Sequence, residues 1–236
     1  MSAVAPVKLD ALYIYPIKSC AGIRLETARL TSRGLEHDRR WMVTDASGKF
    51  LSQRTAPEMQ KVKLAVEAER LVATRDGLPA LALPLLTGEG ARVPFEVWGH
   101  HGHAVRHEEG SAWFTRALGR AVQLVCMPDD VERAVYKQHA QPGDLVSFAD
   151  GFPLLLVNRA SLDDVSARAQ LVVDERRFRP NLVLSGAPAW AEDGWKRIRV
   201  GAITMRVPKP CARCSIPGVD PDTAEATKEP LKTLAT

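Results

Sequence analysis

A mainly β fold with a few helices, of the α+β class, is what this sequence of 236 residues predicts. Two observations carry the expectation. The first half is filled by short apolar runs of alternating character, cut by Ser-, Gly- and Pro-containing turns, and its helical periodicity is weak. The second half mixes a buried-strand pattern, a short helical segment and a hairpin pattern, with no repeat and no low-complexity stretch.

In chain order, LYIYPI, IRLETARL, RWMVTD and KLAVEA between Leu12 and Val66 read as strands. Asp45-Ala46-Ser47-Gly48 reads as a hairpin turn, and Val93 to Trp98 as a strand ending at Gly99. Glu109 to Leu118 places Trp113, Phe114 and Ala117 on one helical face and stops at Gly119, after which VQLVCM is a strand. The polar stretch PDDVERAVYKQHAQPGD is the expected boundary or long functional loop, dividing the chain near residue 126. Pro153 to Val157 reads as a buried strand, and Ser161 as the N-cap of a helix running to about Ala169. Lys196 to Val207 alternates about Gly201-Ala202, a pair suited to a type II′ hairpin turn that aims the chain at KPCARC.

Hydrophobic residues at 45% and charged residues at 25% exclude intrinsic disorder, collagen-like repetition and coiled coil. The excess of 32 Lys+Arg over 28 Asp+Glu, a net charge of +4, is too small to demand nucleic acid and favours an anionic ligand. No stretch approaches the ~18 apolar residues of a membrane helix, so no membrane span is expected. MSAVAPVKLD lacks a signal-peptide pattern, which places the protein in the cytoplasm and its four cysteines in the thiol state.

The residues that invite chemistry are few. Cys211 and Cys214 lie three apart beside Lys209 and Arg213, cations that stabilise a thiolate as nucleophile, redox centre or ligand for a soft metal. A structural zinc site needs two further ligands that Cys20 and Cys126 do not pattern. A thioredoxin-like pair needs a helix that Pro217, Gly218 and Pro221 prevent. Burial of both as small apolar residues is the remaining reading, against which the neighbouring charges and prolines argue. Arg177-Phe178-Arg179-Pro180-Asn181 supplies two guanidinium groups and an amide, suited to an anion or to a solvated strand edge. Tyr15-Pro16-Ile17-Lys18-Ser19-Cys20 sets a cation and a hydroxyl after a strand, and Asp38-Arg39-Arg40-Trp41 adds two cations, equally readable as surface charge. His100, His101, His103 and His107 complete no metal spacing and are expected at the surface. Aromatic residues show no stacking pattern for nucleic acid, so none is expected as a partner.

Taken together, LYIYPIKSC, GLEHDRRWMV, FRPNLVLSG, AEDGW, PCARC and VDPDT with KEPL, in this order, resemble the MOSC-domain family with its N-terminal β-barrel domain. The likeness runs from about Leu12 to Leu234 and is closest to bacterial relatives of the mitochondrial amidoxime-reducing component. It implies an N-terminal β-barrel domain over residues 1–125 and a MOSC β-barrel domain over 126–236, the latter expected to lack its C-terminal strands. It implies a molybdenum–molybdopterin cofactor whose metal takes one protein thiolate, matched here by Cys214 and not by Cys211. Lys18, Ser19, Arg39, Arg179 and Asn181 match cofactor-contacting positions. Ala212 and Arg213 match backbone contacts beside the ligand, while Gly151 and Phe152 replace a Thr-Ser pair, so that backbone contact alone carries over. The resemblance also associates the family with pyridoxal phosphate binding. The implied activity is an oxidoreductase that removes oxygen from small N-hydroxylated substrates at molybdenum. No CxxxxCxxC iron–sulfur pattern occurs, so electrons are expected from a separate donor of flavin reductase, ferredoxin or cytochrome type. The alternatives are a carrier of the molybdenum cofactor and a sulfur-transfer protein holding a persulfide on Cys214 or Cys211.

Overall fold

The computed structural model describes residues 6–135 and 138–236, and their regular structure is mostly sheet with three α-helices. A four-stranded sheet runs in the order Leu156–Asn158, Leu182–Ser185, Lys8–Ile14, Ile23–Leu25. Its first pair is parallel and the others antiparallel, so the opening strand of the chain is paired with one from late in the sequence. A second, antiparallel sheet runs Trp41–Thr44, Gln123–Cys126, His100–His107, Arg92–Val97. Lys63–Glu67, Arg70–Thr74 and Leu81–Pro84 form a meander, and Arg197–Val200 with Ile203–Arg206 the expected hairpin, Gly201 turning at φ 58°. Among the described residues no sheet closes on itself in hydrogen-bond order.

Two strands of the second sheet, Trp41–Thr44 and Gln123–Cys126, are buried on both faces, which is why Trp41-Met42-Val43 and Leu124-Val125-Cys126 are unbroken apolar runs. Trp41, Val43, Leu124 and Cys126 face one core with Leu71, Leu83, Trp113 and Phe114, while Met42 and Val125 face another with Phe95, Val97 and Phe148. A third core, with Tyr13, Tyr15, Leu162, Val165, Phe178 and Val183, lies between the first sheet and a helix. Each of these large side chains contributes roughly 1.5–3 kcal/mol by leaving water.

The helix α1, Glu108–Leu118, lies where Trp113, Phe114 and Ala117 require it and stops at Gly119 in the left-handed conformation. His107, expected at the surface, caps α1: its Nδ1 accepts from the Gly110 N–H at 3.0 Å. The helix α2, Arg159–Ala169, starts at Asn158 and not at Ser161. The Ser161 hydroxyl instead donates to Glu192 at 2.6 Å and accepts from the Trp190 N–H at 2.8 Å, partners about thirty residues away that no local pattern announces. The strand expected at Pro153 to Val157 is shifted to Leu156–Asn158, because the backbone of Leu155 is taken up by Asn181. The polar stretch after Met127 folds back on itself through the bridge between Ala134 and Leu145. The helix α3, Leu231–Leu234, closes the described chain.

Candidate cofactor site

Three loops meet at the end of the strand Lys8–Ile14, and each bends through a non-glycine residue with positive φ: Ser19 at 71°, Arg39 at 49° and Arg179 at 56°. Such backbone is uncommon for side chains of this size and costs about 1–3 kcal/mol at each residue, so its concentration here marks a place where position outranks ease. Arg179 ends the short 3-10 helix Glu175–Phe178, which Pro180 prevents from continuing.

The side chains interlock. Arg39 donates to Asp38 at 2.6 Å, to the Asn181 amide oxygen at 3.1 Å and to the Arg179 carbonyl at 3.0 Å. Asp38, buried, also accepts from the Tyr15 N–H at 2.8 Å. Asn181 spends its remaining capacity on the Leu155 N–H and the Tyr13 carbonyl. The guanidinium carbons of Arg39 and Arg179 stand over the Tyr15 ring at 4.3 and 4.2 Å, a cation–π contact shared by two like charges. Arg179 donates through Nη1 to the Cys20 carbonyl at 2.8 Å and to Gln60 at 3.3 Å, whereas its Nη2 and the Tyr15 hydroxyl are buried without a partner. Burial first, and the Arg39 charge second, pull the Arg179 guanidinium down to about 10. Gln53 donates to the Ser19 carbonyl at 2.8 Å and, through a short contact, to Gln60.

Lys18 is buried beside this cluster. Its ammonium donates to the Phe148 carbonyl at 2.8 Å and to Asp150, which also accepts from the Trp98 indole at 2.9 Å. Burial lowers the Lys18 pKa and Asp150 offsets part of that; burial works against Asp150 ionising, yet Lys18 holds its carboxyl well below the usual range. Gly151 and Phe152 follow at once, half-buried.

Ala212, Arg213, Cys211 and Cys214 lie in an exposed segment, so the reading of two buried cysteines is excluded. The Arg213 guanidinium sits 4.9 Å over the Phe178 ring, the residue before Arg179. Two anchors fix this segment. Arg206 holds Asp144 at 2.7 Å on the hairpin side, and Arg177 holds Asp220 at 2.5 Å and Arg176 holds Asp222 at 2.8 Å on the other. The carboxylates of VDPDT are therefore clamps. Among the described residues no group of three or more His, Cys, Asp or Glu converges to hold a metal.

The structure thus joins Arg39, Arg179 and Asn181 directly, ties Ser19 to them through its neighbour Cys20 and through Gln53 and Gln60, and sets Lys18 against the loop before Gly151. The Cys214 segment reaches the cluster through Arg213 on Phe178 and through Arg177 on the Pro217 carbonyl and Asp220. Sequence reasoning missed Asp38, Asp150, Gln53 and Gln60, the buried partners of the cations. Asp38 stood beside Arg39 in the DRRW motif but is indistinguishable there from surface charge.

Residues 6–121 match the MOSC N-terminal beta barrel domain and residues 144–236 the MOSC domain. The chain belongs to the MOSC family. It is 31% identical to the mitochondrial amidoxime-reducing component 1 of Mus musculus over 236 residues, covering 94% of this chain and 69% of that protein. It is 32% identical to the mitochondrial amidoxime reducing component 2 of Bos taurus, covering 96% and 70%. The molybdenum cofactor sulfurase of Oryza sativa is 30% identical over 99% of this chain, which spans only 31% of that protein. For a MOSC protein the donor set fits an anionic cofactor: a buried guanidinium has an unpartnered N–H, and a separate exposed thiol is available to a soft metal. No helix is long and apolar enough to cross a membrane among the described residues.

Proposed function

We propose that this MOSC protein binds a molybdenum–pterin cofactor and reduces N-hydroxylated compounds with electrons from a separate donor protein. The observation that carries the reading is Arg179, a buried cation whose Nη2 meets no protein acceptor, on a 3-10 helix to which the Cys214 segment is stapled by Arg213 and Arg177. Arg179 and Arg39 would grip the anionic end of the cofactor, with Tyr15 and Asn181 fixing both guanidinium groups. Lys18 and the backbone of Ser19, Gly151 and Phe152 would add donors, and Ala212 and Arg213 would flank the Cys214 thiolate as protein ligand to the metal. The bound group would supply two-electron redox chemistry, the net change being N–OH plus two electrons and two protons to N–H plus water. The similarity to two amidoxime-reducing components favours that substrate class.

The test is the molybdenum and pterin content of protein made in a host that synthesises the cofactor, with Cys214→Ser alongside. Stoichiometric molybdenum in the natural chain, lost from a folded Cys214→Ser, supports the reading, as does turnover of an amidoxime. Molybdenum retained in the variant overturns the ligand assignment. A second reading, persulfide transfer, is favoured by the exposure of both Cys211 and Cys214 and by the similarity to a cofactor sulfurase. It requires a reductant-labile sulfur adduct in the intact mass and no bound metal. Pterin binding without turnover would make the protein a carrier.

A further inference from the structure

The loop entering Gly151 is held by a residue that belongs to none of the motifs. Arg133 is buried, and its Nη1 donates to the carbonyls of Ser147 at 2.8 Å and Ala149 at 2.7 Å. Lys18 takes the carbonyl between them, that of Phe148, at 2.8 Å. Three consecutive carbonyls are therefore turned toward two buried cations. The Phe148 N–H donates to the Arg39 carbonyl at 2.9 Å, which pins the same loop to the arginine cluster. Because a peptide unit is planar and trans, the N–H that follows an inward-turned carbonyl points the opposite way. The N–H groups of Ala149 and Asp150 are thus directed away from Arg133 and Lys18. Among the described residues the N–H groups of Ala149, Asp150, Gly151 and Phe152 donate to no protein acceptor. A run of such donors is available to an anion.

Charge points the same way. Lys18 is paired with Asp150, but among the described residues Arg133 has no carboxylate in ion-pair contact, and its Nε is buried without a partner. The loop is thus electropositive by one full charge, next to its free N–H groups.

Building on the function proposed above, we propose that Arg133 is a positioning residue: by holding the carbonyls of Ser147 and Ala149 it presents the backbone N–H groups of residues 149–152 to the anionic group of the cofactor. Two features contribute. Nη1, at the end of the long planar guanidinium, reaches two carbonyls at once, and the charge sits behind the donors.

The test compares Arg133→Met, which keeps an apolar stem without the charge, and Arg133→Lys, which keeps the charge but not the reach and planarity of the guanidinium, with the natural chain from a cofactor-producing host. The readouts are pterin per chain and the rate of pterin release after dilution, with far-UV circular dichroism and urea unfolding to certify the fold. Release from Arg133→Met should be faster by roughly 10–100-fold, the usual effect of losing a group that orients direct ligands, with Arg133→Lys between the two. Amide hydrogen exchange over residues 149–152, measured without cofactor, should speed up in Arg133→Met and less in Arg133→Lys. A folded Arg133→Met with the natural release rate overturns the proposal, and so does Arg133→Lys releasing as fast as Arg133→Met. Should Arg133→Met not fold, Arg133→Lys decides alone, and natural behaviour in it refutes the role of the guanidinium. Absence of pterin from the natural chain would overturn the proposed function itself, and this assignment with it.

Discussion

Replacing Asn181 by leucine, a side chain of nearly equal size without polar atoms, tests how the site is held. Asn181 is only 1% exposed, and all its hydrogen-bonding capacity described above is spent inside the protein: its oxygen accepts from Leu155 and Arg39, and its amide donates to the Tyr13 carbonyl. Leucine leaves the buried Tyr13 carbonyl without a partner, at about 1–3 kcal/mol, and the half-buried Leu155 N–H, at about 1 kcal/mol, and removes a charge-assisted bond worth about 1.5–3 kcal/mol. Arg39 keeps Asp38 and the Arg179 carbonyl, so the lower part of the range applies to it. The expected loss is about 3–6 kcal/mol, a large share of the ~5–15 kcal/mol that stabilises an ordinary domain. Urea unfolding followed by tryptophan fluorescence measures it as a lower midpoint at unchanged slope. A loss below ~1 kcal/mol would refute the argument, since it would mean that water or a rotated Arg39 satisfies the orphaned groups. If Asn181 acts mainly by aiming Arg39, pterin retention should fall in step with this loss and be partly recovered in Asn181→Asp, which keeps both acceptor bonds.

Cys211 and Cys214 are exposed, while burial pushes the Cys20 thiol up to about 12 and the Cys126 thiol up to about 11. An alkylating reagent near pH 8 should therefore label Cys211 and Cys214 rapidly and the other two only after denaturation; rapid labelling of Cys20 would contradict its burial. Gly22→Ala places a methyl 2.5 Å from the Tyr15 ring, whose face carries both guanidinium groups. It should cost about 1–3 kcal/mol and weaken pterin retention, and a neutral result would show that the ring is free to shift. The carboxyls of Asp45, Asp144, Asp150, Glu175, Asp220 and Asp222 are held below their ordinary values, by hydrogen bonds and by cationic partners. The unfolded chain then takes up protons first, so their stabilisation is present above about pH 4 and is lost as pH falls through the lower folded values. Urea midpoints at pH 6 and pH 3 should differ clearly; equal midpoints would show that these pairs do not hold the fold.

The parts of the molecule that were legible in the sequence are those governed by a period or by a local turn. RWMVTD and VQLVCM declared strands, Trp113 with Phe114 and Ala117 declared α1, and Gly201-Ala202 the hairpin. The candidate site was legible as cations and an amide at loop positions. Their partners were not. Asp38, Asp150, Gln53 and Gln60 are buried polar groups whose meaning depends on where a distant loop arrives, and no periodicity encodes that. Ser161 shows the same limit: its position in a capping pattern was real, but Glu192 and Trp190 outbid the local helix end for its hydroxyl. Arg133 was hidden for the opposite reason, as one charge in a polar stretch that read as a boundary or long functional loop, yet it is buried.

The charges of the site indicate which way its ligand acts on the fold. Lys18 is matched by Asp150 and Arg39 by Asp38, so these pairs are electrically complete. Arg133 and Arg179 are buried, and among the described residues neither has a carboxylate in contact. An uncompensated buried cation costs several kcal/mol, and breaking an established pair at such depth costs about 3–5 kcal/mol. Ser19, Arg39 and Arg179 add the cost of left-handed backbone at three bends. A chain selected for stability alone would relieve both by placing apolar side chains at Arg133 and Arg179 and glycine at the bends. Retaining them makes physical sense where an anion supplies the missing charge in the bound state. Binding would then stabilise the folded chain by RT ln(1 + [L]/Kd), about 2.7 kcal/mol at a hundredfold excess over Kd, through Arg179 directly and through the loop that Arg133 holds.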